Sequence, residues 1–68
     1  MPLIRVELFA GRSAEHKRAL AQALTEATVR TLDCKPEAVE VMFFDVQRSD
    51  WATGGQLWSD RAAAPPKP

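Results

Sequence analysis

Two stretches of the chain alternate apolar and polar positions as strands do, and a long stretch between them carries the period of a helix. In "LIRVELF", Ile4, Val6 and Leu8 share one face, and Leu3, Arg5, Glu7 and Phe9 share the other. "AGRS" breaks the alternation, and Ser13 is a favourable N-cap with Glu15 in the first turn behind it. His16 stands where a capping box calls for Glu or Gln, so the box is imperfect. From Ala14 to about Leu32 the chain has neither Gly nor Pro; Leu20, Leu24, Ala27 and Thr31 fall on one stripe, with Ala23 beside it. Pro36 stops any continuation of this helix.

"VEVMFFDV", Val39 to Val46, predicts a second strand with Val39, Val41 and Phe43 on one side and Met42, Phe44 and Val46 on the other. Both sides are apolar, so both require cover. One helix covers one side only, which leaves the other for a second subunit. Strand, helix, strand predicts a βαβ unit with parallel strands and a right-handed crossover. In "DWATGGQLWS" a Gly-Gly pair between short apolar flanks predicts a small hairpin or arm. The expected layout is one domain over residues 2–60, followed by a low-complexity, mobile tail over 61–68.

Size sharpens the expectation of partners. A chain of 68 residues buries a limited share of its surface alone. It is 46% apolar, which excludes a disordered chain. Its single cysteine, Cys34, forms no internal disulfide, and one histidine with one cysteine does not make a metal site. Oligomerisation is the remaining route to stability. Nine basic and nine acidic residues cancel, so nucleic acid is not an expected partner. No run approaches transmembrane length and no long apolar signal region opens the chain, so no membrane association is expected and a reducing cytoplasm is the expected compartment.

The chemistry begins at "MP". Trimming of Met1 leaves Pro2 with a free secondary amine, whose ordinary pKa lies near that of an α-amino group, roughly 8. An apolar pocket disfavours the charged form and lowers that value, giving a base poised near neutral pH. The ring fixes the lone pair's direction. Arg12, at the turn after the first strand, offers a planar fork that suits a carboxylate. Trp51 is able to wall and dry a pocket. Each feature alone has a plainer explanation: a common chain start, a solvated loop arginine, an oligomer contact. Glu40 and Asp45 read as edge charges that oppose aggregation, His16 as a solvated residue at the helix start, and Cys34 as an inert loop thiol.

Taken together, Pro2 heading a strand, "ELFAGRS", a helix ending in "TLD", and "WATGG" resemble the 4-oxalocrotonate tautomerase family of the tautomerase superfamily, over Pro2 to about Leu57. The resemblance implies an α/β (α+β) fold with a βαβ protomer, a dimer with a four-stranded sheet, and a hexamer built as a trimer of dimers. It implies no cofactor, Pro2 as general base and Arg12 as the group that binds the carboxylate of a small-molecule substrate. The family's aromatic wall falls on Trp51, where phenylalanine is more usual, and a neighbouring subunit supplies it; Phe9 is its expected companion. The family's second arginine falls on Glu40 here, so Glu40 is a candidate determinant of specificity. A carboxylate there repels a dicarboxylate substrate and favours the enol of a mono-acid, such as an aryl or alkyl pyruvate. Arg5, Arg48 and Arg61 are the chain's own candidate replacement cations. A hetero-hexamer, completed by an arginine-bearing sister chain, is an alternative to a homo-hexamer. Two further readings stay open: addition of water to, or dehalogenation of, an unsaturated acid with Glu40 activating water, and a non-catalytic subunit of a mixed oligomer.

Overall fold

The computed structural model describes residues 2–61. Strand β1, Leu3–Phe9, leads through a turn into helix α1, Ala14–Leu32, and the chain returns in strand β2, Glu40–Val46. The two strands are parallel, with Leu3 opposite Glu40 and Phe9 opposite Val46. The ladder extends one residue at either end: the Glu40 N–H donates to the Pro2 carbonyl at 3.0 Å and the Ala10 N–H to the Val46 carbonyl at 2.9 Å. The second strand begins at Glu40 rather than Val39, because Val39 closes a short 3₁₀ turn over Pro36–Ala38, its N–H donating to the Pro36 carbonyl.

The helix ends match their local chemistry. Ser13 caps the N-terminus, its Oγ accepting the His16 N–H at 3.2 Å. At the other end Asp33 turns left-handed (φ 56°) and its N–H donates to the Val29 carbonyl, a conformation that aspartate tolerates better than most residues. Gly11, with φ 121°, sits in the turn that swings the chain from β1 to α1. A side chain there is strained by the backbone alone, so Gly11→Ala is expected to cost about 1–3 kcal/mol. Thermal denaturation at fixed protein concentration, comparing the variant with the parent, checks this.

Helix α1 covers the sheet face that carries Ile4, Val6, Leu8, Val41 and Phe43, all half-buried. Asp45 shares that face by alternation and pairs with Lys17 of the helix at 2.7 Å. Asp45 is therefore not a free edge charge; it ties the helix to β2. The half-buried positions of the helix are Lys17, Ala21, Leu24, Thr25, Ala27, Thr28 and Val29, so Leu24 and Ala27 of the expected stripe are covered while Leu20, Ala23 and Thr31 are exposed. Leu20, 37% exposed, lies at the margin of the covered face and lines an open cleft with Val6 and Leu8 of β1. The partial cover follows from the sheet having only two strands, so that the helix straddles it and both its flanks stay open.

Among the described residues no helix covers the opposite face. Leu3 and Met42 there are each 47% exposed, and the Arg5 guanidinium lies 4.7 Å over the Phe44 ring. Among the described residues none is fully buried. Among the described residues, one protomer thus has apolar faces but no closed core, and the outer edges of both β1 and β2 have no strand partner.

Beyond β2 a 3₁₀ turn, Arg48–Asp50, leads into a two-residue hairpin, β3 Ala52–Thr53 and β4 Gln56–Leu57. Gly54 and Gly55 both have positive φ, the requirement of a tight two-residue hairpin turn. A last 3₁₀ turn, Trp58–Asp60, follows. The expected mobile tail lies, from residue 62 onward, outside the described residues.

Candidate active site

The candidate residues gather at the two ends of β1. At its start, Pro2 is half-buried and bonded through its carbonyl to the Glu40 backbone, which brings Glu40 beside it. The Glu40 side chain is exposed. At the far end stand Phe9, Arg12 and Trp51. A strand rises about 3.3 Å per residue, so roughly 20 Å separate the two groups within a single protomer. One chain does not bring Pro2 to Arg12 or to the aromatic wall.

The wall is well formed. The Phe9 and Trp51 rings lie 4.4 Å apart, centroid to centroid, tilted by 51°. Trp58 adds an edge-on contact to Phe9 at 5.5 Å. Such aromatic pairs contribute about 0.5–1.5 kcal/mol beyond the area they bury. The hairpin positions the two tryptophans: Ala52 pairs with Leu57, and the Trp58 N–H donates to the Trp51 carbonyl at 2.9 Å. The Trp58 indole N–H is satisfied by Thr53 Oγ1 at 2.9 Å. Sequence reasoning had no role for Trp58, although its place across the Gly-Gly turn from Trp51 was the available signal.

Cations surround the aromatic group. The Arg48 guanidinium lies 4.4 Å over the Phe9 ring, and that of Arg61 lies 4.1 Å over Trp58. Arg61 also donates from Nη2 to the Thr53 carbonyl at 3.4 Å, bracing the hairpin. Arg12 is exposed and lines a cleft of about 330 Å³ with Val6, Leu8, His16, Lys17 and Leu20, between β1 and the start of α1. His16 thus borders the candidate site, its ring Nδ1 3.2 Å from Ser13 Oγ. Cys34 is half-buried, with Sγ 4.0 Å from the Thr28 carbonyl. Among the described residues no cluster of three His, Cys, Asp or Glu could hold a metal ion, and no helix is long and apolar enough to cross a membrane.

The α+β protomer thus carries a proline at the mouth of one parallel strand, and an arginine and a paired aromatic wall beyond its other end. Comparison with known proteins gives the class. The sequence pattern of "Tautomerase enzyme" matches residues 2–61. A probable tautomerase, RSp1151 of Ralstonia nicotianae, is 35% identical over 65 residues, which span 96% of this chain and all of that one. Among solved structures, a 4-oxalocrotonate tautomerase homologue designated TTHB242 superposes with a TM-score of 0.84 at 43% identity, covering 90% of this chain and 97% of that one. A heterohexamer 4-oxalocrotonate tautomerase from Chloroflexus aurantiacus superposes with a TM-score of 0.84 at 31% identity, covering 90% and 98%. The chain belongs to the tautomerase family, with the fold of the 4-oxalocrotonate tautomerase homologues, and is an isomerase.

Proposed function

We propose that the chain is a cofactor-independent tautomerase that interconverts the enol and keto forms of a small 2-oxo acid, with Pro2 as the base once Met1 has been removed. Pro2 takes the enol hydroxyl proton and returns it to carbon as the carbonyl forms. Arg12 binds the carboxylate and stabilises the charge that develops on the enolate-like system. Phe9 and Trp51 exclude water, which strengthens each of these interactions.

The observation that carries this reading is the separation of Pro2 from Arg12, Phe9 and Trp51 along one strand whose outer edge has no strand partner among the described residues. A second copy whose β1 pairs antiparallel on that edge sets the Pro2 end of one strand beside the Phe9 end of the other. The pairing is two-fold symmetric, so each dimer completes two sites and forms a four-stranded sheet. The open, apolar, helix-free face supports further assembly of such dimers into a hexamer. A homo-hexamer is the simplest form, and the Chloroflexus aurantiacus heterohexamer gives a precedent for a mixed one.

Glu40 sets the preference among acids. It sits beside Pro2, where a second carboxylate on the substrate meets like charge. Intact mass is expected to show loss of Met1, and the trimmed protein is expected to ketonise phenylenolpyruvate with higher kcat/KM than it shows for the dienol diacid 2-hydroxymuconate. Glu40→Arg is expected to shift that ratio toward the diacid by about tenfold or more. A folded, trimmed hexamer that ketonises neither acid defeats the proposal.

A further inference from the structure

The tautomerase reading leaves the place of the family's second arginine filled by an acid, Glu40, and the chain has three arginines as candidate replacements. Arg5 lies at mid-sheet over Phe44, on the helix-free face. Arg61 is committed to Trp58 and to the Thr53 carbonyl. Arg48 alone of the three lies on the ring of Phe9, the partner of Trp51. We propose that Arg48 is a substrate-binding residue, and that it shares with Arg12 the grip on the carboxylate of a mono-acid lying against the Phe9–Trp51 wall. This deepens the tautomerase reading and rests on it.

Three features of the chain put Arg48 in that position. The register aligns Phe9 with Val46, so Arg48 stands two residues beyond the carboxyl end of β2, as Arg12 stands three beyond that of β1. The region outside the carboxyl ends of parallel strands is where open α/β sheets receive ligands. Next, Arg48 opens the 3₁₀ turn that Trp51 closes, the Trp51 N–H approaching the Arg48 carbonyl at 3.4 Å. Side chains three apart on such a turn eclipse one another, which holds the guanidinium on the same side as the indole. Lastly, Arg48 is half-buried and has no ion pair or side-chain hydrogen bond among the described residues. A guanidinium stacked on a ring through its flat face keeps its N–H edge available for a carboxylate. Asp50, in the same turn, is the nearest acid in sequence and is exposed.

The two arginines come to that carboxylate from different sides. Arg12 faces the cleft on the helix side of β1, lined by Val6 and Leu8. Arg48 belongs to the aromatic side, with Phe9. A substrate with one carboxylate and an apolar body sets that carboxylate between Arg12 and Arg48 at the rim of the wall and lays its body on the rings. A diacid must send its second carboxylate toward Pro2 of the other copy, where Glu40 stands.

The test compares Arg48→Ala and Arg48→Lys with the parent. For phenylenolpyruvate, Arg48→Ala is expected to raise KM by about ten- to a hundredfold, the range for loss of a charge-assisted hydrogen bond, while kcat changes less. Arg48→Lys is expected to recover part of the loss. The methyl ester of the same enol, which lacks the charge, is expected to respond equally little to both variants. Binding of phenylpyruvate, followed by tryptophan fluorescence, is expected to weaken in parallel with KM. An unchanged KM and unchanged binding in a folded, active Arg48→Ala protein overturns the role of Arg48 and leaves the tautomerase reading standing. Equal losses for acid and ester also overturn it, because they mark a structural contact with Phe9. If the parent binds phenylpyruvate through Arg48 but ketonises no enol, the carboxylate site stands and the tautomerase reading falls.

Discussion

A chain that keeps any residue in front of Pro2 is expected to lose about 10²–10⁴-fold in kcat/KM for enol ketonisation, the usual contribution of a positioned general base. The preceding residue turns the Pro2 nitrogen into an amide, which has no useful basicity. Pro2→Ala is expected to lose less, because a primary amine of similar strength remains after trimming. What it lacks is the ring that aims the lone pair. The two variants therefore separate basicity from aim. The pH profile gives the sign: a base acts in its neutral form, so kcat/KM is expected to rise with pH and level off once the amine is deprotonated. If a partner's aromatic wall dries the half-buried Pro2 as proposed, that midpoint is expected below the α-amino reference of roughly 8. Stopped-flow ketonisation across pH, on protein of verified N-terminal mass, measures both quantities. Full activity in an N-terminally extended hexamer is the result that rules out Pro2 as the base.

Much of the fold was legible because it rests on local signals. The alternation in Leu3–Phe9, the Ser13 cap and Pro36 marked the ends of β1 and α1 without reference to any distant residue. The Gly-Gly pair named the hairpin, since few other residues accept positive φ at two successive positions. The helix stripe was less legible. Its orientation depends on where a two-stranded sheet leaves room, and the sequence period fixes only the spacing of the stripe. Asp45 was misread for a related reason: its partner Lys17 lies 28 residues away, and no local pattern announces a pair made across the crossover.

The candidate site divides along the same line. Pro2, Arg12 and Trp51 were visible through short motifs tied to turns and strand ends. Phe9 was the expected companion of Trp51, but the contact of Phe9 with Arg48 was not visible, because it joins the end of β1 to a segment that follows β2, and only the parallel register brings those ends together. The sequence supplied Arg48 as one cation among three. The ring beneath it distinguishes it from the others.

Mixing two inactive variants is expected to restore activity, and the amount restored reports the geometry of the site. In a dimer whose β1 strands run antiparallel, each site takes Pro2 from one copy and Arg12 with Trp51 from the other. A mixed dimer of Pro2-blocked and Arg12→Ala chains then holds one site with both defects and one site with neither. Random association makes half of the dimers mixed, so equal amounts of the two chains, unfolded together and refolded, are expected to recover about a quarter of the parent activity, as two-fold symmetry of the interface requires. Among the described residues, the outer edge of β1 has no strand partner and none is fully buried, which are the reasons for placing the second copy there. A site built within one chain gives the opposite result, because every site in the mixture then carries one defect or the other, and refolding restores nothing. Blending the two variants without unfolding is the control: folded oligomers that do not exchange subunits stay inactive, so the recovery must come from newly formed mixed pairs.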